Sequence, residues 1–175
     1  MADDESGSTK RLRGTIGPLP GVNWGSIGCT SIFVVMAAVA IPAFTRRAKR
    51  STTSEATFNL SRIYQGEVEY FNRTQREGVG RFVSASATPA SAPTARKYPV
   101  DLDVWVRDPG WRALDFVIST PHYFQYRVDA TARGFTATAI GNLDGDGTFS
   151  TFSRSAALNA GEIQGDPIVI THELE

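Results

Sequence analysis

Apolar and polar positions along the chain fall into three regimes. From Ile27 to Phe44 the sequence IGCTSIFVVMAAVAIPAF is apolar almost throughout and has no polar face from Ile32 onward. As a helix its eighteen residues reach about 27 Å at ~1.5 Å per residue, close to the ~30 Å hydrocarbon core of a bilayer. Thr30 and Ser31 weaken its front, and Pro42 predicts a kink near its far end. A cationic collar, TRRAKR, follows. Beyond it Ala56, Leu60, Ile63, Tyr64, Val68 and Phe71 recur at spacings of three and four, while Glu55, Arg62, Glu69 and Arg73 lie largely elsewhere. That period predicts an amphipathic helix with one face to bury, interrupted by Gly66 at a cost of about 1 kcal/mol relative to alanine.

The third regime is β-like. Phe124, Tyr126 and Val128 alternate with polar residues, ATARG offers a turn, and Phe135, Ala137 and Ala139 alternate again. Thr148 to Arg154 and Pro167 to His172 complete four predicted strands, with SAALNAGEIQGD read as a loop between the last two. Between helix and sheet, SASATPASAPTA carries no apolar period and predicts a solvated connection. Trp105, flanked by Val104 and Val106, and Trp111, which follows the turn signal Asp108-Pro109-Gly110, are expected in the core of so small a domain. The fold class is therefore α+β: a long N-terminal helix, membrane-spanning in its first half, packed on a four-stranded antiparallel sheet. Its expected parts are a polar tail (1–25), the apolar half of the helix (26–44), its amphipathic half (45–77), a variable Ser/Ala/Pro loop (78–99) and a β head (100–175).

Composition sharpens this picture by exclusion. Eighteen Lys and Arg balance eighteen Asp and Glu, which leaves no global field for nucleic acid. The single cysteine, Cys29, has no internal partner for a disulfide. Two histidines, His122 and His172, have no companion His or Cys at metal-ligand spacing, Glu67 and Glu69 point to different helix faces, and no nucleophile elbow, phosphate loop or dinucleotide fingerprint occurs. No enzyme and no small-molecule substrate are expected.

One stretch suggests an ion. Asn142, Asp144, Asp146 and Thr148 in NLDGDGT match the front of an EF-hand-type loop, where alternate oxygen ligands converge on Ca²⁺. Asp-Gly hairpin chemistry explains the same letters without a cation, and the bidentate glutamate of a complete loop falls on Ser153. Both readings stand at this level.

AVAIPAF (Ala38 to Phe44), RRAK (Arg46 to Lys49), SEATFNL (Ser54 to Leu60) and GEVEYF (Gly66 to Phe71) resemble the type IV pilins and type II secretion pseudopilins. DPGWRALDFVISTPHYFQYRV and GNLDGDGTFSTFSR resemble the C-terminal domain of delta-proteobacterial pilin-like proteins. The N-terminus is atypical and lacks the prepilin cleavage motif; the position of the family's glutamate falls on Gly25. The resemblance implies a structural subunit that packs its helix against siblings and meets pilus or secretion assembly machinery, with roles in motility or adhesion. Ile32, Phe33, Val34, Val35, Met36, Val39, Ile41, Pro42 and Phe44 would form the membrane and assembly face. It also implies a single-pass inner-membrane protein with a periplasmic head, extracellular once assembled. The arginines and lysines flanking the span do not decide its orientation. A different class stays open: a membrane-tethered periplasmic binding module with a pilin-like head that does not polymerise.

Overall fold

The computed structural model describes residues 53–172. The polar tail, the Ile27–Phe44 stretch, the collar and Cys29 lie outside the described residues. Helix α1 (residues 53–76) buries the predicted stripe: Ala56, Leu60 and Ile63 are fully enclosed, Phe71 nearly so, and Tyr64 and Val68 are half-buried. Its end follows from local chemistry. Gly78 takes a positive φ of 85°, the left-handed conformation that ends helices, and Val79 N–H donates back to the Thr74 carbonyl at 3.0 Å.

The sheet is antiparallel throughout, in the order β1 (Ala85–Thr88), β2 (Gln125–Thr131), β3 (Gly134–Gly141), β4 (Ser150–Asn159), β5 (Glu162–Gly165), with β6 (Val169–Thr171) also on β4. Alternation places Tyr126, Val128, Phe135, Ala137, Ala139, Phe152 and Ala156 on the face that shares a core with α1. Asn59 Nδ2 donates to the Tyr126 hydroxyl at 2.9 Å, and Tyr123 N–H donates to Glu55 Oε1 at 3.1 Å, which pins the front of α1 to β2. Further along, the Arg154 guanidinium lies 4.0 Å from the Tyr64 ring centroid and donates to Ser61 Oγ at 3.1 Å. The opposite face of the sheet is polar, with Arg127, Asp129, Thr136 and Ser155 along its rows.

Two short helices fill the connection between β1 and β2: α2 (Asp103–Arg107) and α3 (Pro109–Ala113). Asp108 caps α3, its Oδ1 accepting from Gly110 N–H at 2.8 Å and Trp111 N–H at 3.1 Å. The same carboxylate holds β1, because Oδ2 accepts from Ser86 N–H at 3.2 Å. Burial alone would raise its pKa, but the hydrogen bonds from Ser86, Trp111 and Gly110 prevail and hold it below the usual carboxylate value.

These observations correct the expected fold. The sheet has six strands, not four. β1 lies inside the stretch read as a solvated loop; its ASAT sequence has no large apolar residue, and its place is fixed by Trp111, whose Nε1–H donates to Ser86 O and Thr88 Oγ1. Much of SAALNAGEIQGD is strand as well, the end of β4 and all of β5, joined at Ala160 and Gly161, both with positive φ as a two-residue hairpin turn requires. Trp105 and Trp111, expected in the core, are buried there on two short helices. Among the described residues no helix is long and apolar enough to cross a membrane: α1 interleaves Arg62, Glu69 and Arg73 with its apolar stripe. Within the described residues this contradicts the long helix with a membrane-spanning half and the single-pass inner-membrane placement; the 26–44 stretch read as that half lies outside them.

Candidate functional site

Two regions of the head concentrate polar chemistry. The first is the β3–β4 connection. Gly141 pairs with Ser150, so the loop spans residues 142–149, with Gly145 and Gly147 at φ values of 83° and 95°. Asn142 Oδ1 accepts from Gly145 N–H at 2.7 Å, Asp144 Oδ1 from Asp146 N–H at 3.3 Å, and Asp146 Oδ1 from Thr148 N–H at 2.6 Å. Successive Asx turns thus hold the loop in shape. The residue at the twelfth loop position, Ser153, sits in β4 opposite Thr138 and Val169, so it belongs to the ladder and not to the loop. A cation here would draw only on Asn142, Asp144, Asp146 and the Thr148 backbone. Among the described residues no three His, Cys, Asp or Glu side chains come together as a metal cluster.

The second region was not read as a site from sequence. α2, α3, the chain between α3 and β2, and the start of β2 gather Trp105, Trp111, Phe116, His122 and Tyr126 into one aromatic block. The Trp105 ring meets Trp111 and Phe116 edge-on, each at 5.4 Å, and lies 5.8 Å from His122. Tyr98 closes one side: its N–H donates to the His122 carbonyl at 2.7 Å, and its ring lies 5.4 Å from the imidazole. Beside this block is a cavity of about 160 Å³ lined by Pro89, Ser91, Tyr98, Asp101, Trp105 and His122, among others. His122 Nδ1 lies 3.2 Å from the Thr120 carbonyl, which only a protonated Nδ1 can satisfy, so Nε2 is left as an acceptor. Burial lowers the His122 pKa, against the pull of that carbonyl, which keeps the ring neutral. His172, the other histidine, is exposed at the end of β6.

A third polar group, Glu67, is wholly enclosed beneath α1. Oε2 accepts from Val83 N–H at 3.2 Å and Oε1 has no partner. Burial pushes its carboxyl up to about 8, against the Val83 hydrogen bond that favours the charged form. Glu67 and Glu69 face apart, as their spacing requires. The assembly residues Ile32, Phe33, Val34, Val35, Met36, Val39, Ile41, Pro42 and Phe44 lie outside the described residues. Compared with known protein families, curated proteins and solved structures, the chain matches none.

Proposed function

We propose that this chain is a structural subunit of a type IV pilus or a related type II secretion pseudopilus. The observation that supports this reading is α1 laid by its apolar stripe across one face of an antiparallel sheet, in direct sequence continuation of the apolar Ile27–Phe44 stretch. In a filament, Phe33, Val35, Met36 and Val39 pack against the same stretch of neighbouring copies, and the head displays the outer face of its sheet and the 142–149 loop. The subunit acts by position, with assembly machinery as its partner and no turnover of substrate.

The test is to shear filaments from cells of the native source, sediment them and probe for the chain. The expected result is the chain in the filament pellet, with Val35→Lys removing it from the pellet while the head keeps its folded circular dichroism. A chain that never sediments with filaments from piliated cells overturns the reading. The second reading, a binding module with the same head that does not polymerise, draws support from the aromatic cavity and predicts that outcome.

A further inference from the structure

The sheet has two edges, and the chain treats them differently. At β1 the backbone of Ser86 is taken up on both counts: its N–H donates to Asp108 Oδ2 at 3.2 Å, and its carbonyl accepts from Trp111 Nε1–H at 3.0 Å. At the other edge β5 and β6 both lie against β4, and among the described residues no strand pairs with their outer side. Bare edges are commonly blunted by charged side chains. Residues 167–171 read PIVIT, without a charge, and Val169 and Ile170 are 58% and 42% exposed.

Ladder registers fix where the backbone groups of this edge point. Thr131 pairs with Gly134 across a two-residue turn, so that pair exchanges hydrogen bonds and every second pair does so thereafter. Carried through β3, this alternation turns Thr151, Ser153 and Ser155 of β4 toward β5 and β6. Two contacts agree: Asp166 N–H donates to the Ser155 carbonyl at 2.9 Å, and Leu158 N–H donates to the Arg133 carbonyl, on the opposite side, at 2.7 Å. Val169 and Thr171 therefore bond to Ser153 and Thr151. Because peptide units are planar and trans, the Ile168 carbonyl and both backbone groups of Ile170 point out of the sheet.

We propose that β6 pairs antiparallel with β6 of a second copy of this chain, about a two-fold axis through Val169. In this register Ile168 stands opposite Ile170 of the second copy. Ile170 N–H donates to that copy's Ile168 carbonyl, and symmetry returns the same bond. Val169 meets its own counterpart in a non-hydrogen-bonded pair, where side chains come closest, and Pro167, with no N–H to offer, faces Thr171 in another. Ile168 already packs against the core, so its pairing with Ile170 extends that apolar layer across the joint. Asp166 then stands opposite His172, a carboxylate beside an imidazole N–H donor at each end of the pair. An axis at Ile168 would set Ile170 against Asp166, and one at Ile170 would set Ile168 against His172, so the strand complements itself best at Val169. A two-fold contact closes at two copies, whereas a filament needs contacts that repeat without closing; failure of either reading leaves the other standing.

The experiment is disulfide trapping in the full chain carrying Cys29→Ser and Val35→Lys, which remove the native thiol and the proposed filament contact. The pairing is short and its Kd is expected at about 0.1 mM, so the chain is oxidised mildly near that concentration and dimer is read on a non-reducing gel. Val169→Cys, on the axis, is expected to give about tenfold more dimer than Gln164→Cys, which is also exposed but well away from the axis. Adding Ile170→Pro, which removes the outward N–H, or Ile170→Lys, which places a charge on the edge, is expected to reduce the Val169→Cys dimer about tenfold with circular dichroism unchanged. The proposal is overturned if Val169→Cys and Gln164→Cys crosslink alike, or if neither Ile170 variant lowers the yield. It is equally overturned if Val169→Cys gives no dimer; protection of the Ile170 amide from exchange would then mean that residues 1–52 cover this edge, and rapid exchange that it stays bare.

Discussion

Glu67 is the residue whose environment departs furthest from what its type prefers. A carboxyl enclosed beneath α1 with one backbone donor stays protonated in the fold up to about pH 8, whereas the unfolded chain releases that proton near 4.5. Between those values the folded state binds the extra proton. The stability it confers is complete below the unfolded pKa and is lost as the pH rises through the folded one, at a slope of about 1.4 kcal/mol per pH unit. Urea melts of Glu67→Gln across this range are expected to lose that slope and to exceed the wild type in stability at neutral pH; parallel curves would contradict the assignment. Burial at position 67 was not legible in the sequence. The helical period places Ile63 and Phe71 in the core by their apolarity, but a glutamate among them reads as surface, and its donor, Val83, lies 16 residues further on. His122 was missed for the same reason: its surroundings come largely from Tyr98 and Trp105, which are distant in sequence.

At the level of elements, close approach decides what a substitution does. Gly66 looks like a weakness in α1, and alanine there would gain about 1 kcal/mol of helix propensity. A Cβ at this position would stand 2.8 Å from the Leu114 carbonyl oxygen, a backbone atom with little freedom to move. Overpacking of this kind costs about 1–3 kcal/mol, so Gly66→Ala is expected to lower stability in urea denaturation. Asp108→Ala removes the α3 cap together with the tie to Ser86, with an expected loss of about 1–2 kcal/mol in the same assay. For the 142–149 loop, Asx turns hold the backbone without help and the twelfth position sits in β4. The thermal midpoint is therefore expected to be unchanged when a chelator replaces Ca²⁺, and a clear fall on chelation would assign the cation to Asn142, Asp144 and Asp146. The strands with large alternating residues, β2 and β3, were legible because burial of one face imposes a period of two. β1 and β5 were not: ASAT and EIQG have no apolar alternation and are strands because a neighbour offers its edge.

For the molecule as a whole, the sheet is strongest at its middle. β3 is paired along its length on both sides, whereas β1 has an irregular register and β6 contributes only three pairs. Amide exchange is expected to be slowest in β3 and fastest in β1 and β6, and equal protection across the sheet would contradict this order. The joining of helix and sheet in one core was legible because each had a single apolar face and no other cover in the sequence. The aromatic block was legible only as bulk, since its geometry depends on α2 and α3, two short helices that turn signals concealed. The three pairs of β6 also set how the head bears load. Tension applied beyond Thr171 opens those pairs one after another, as a zip does, and leaves the rest of the sheet standing. Tension applied through α1 meets Glu55, Asn59, Ser61 and the whole apolar stripe in parallel, so the head resists being drawn from its helical side far better than from its tail.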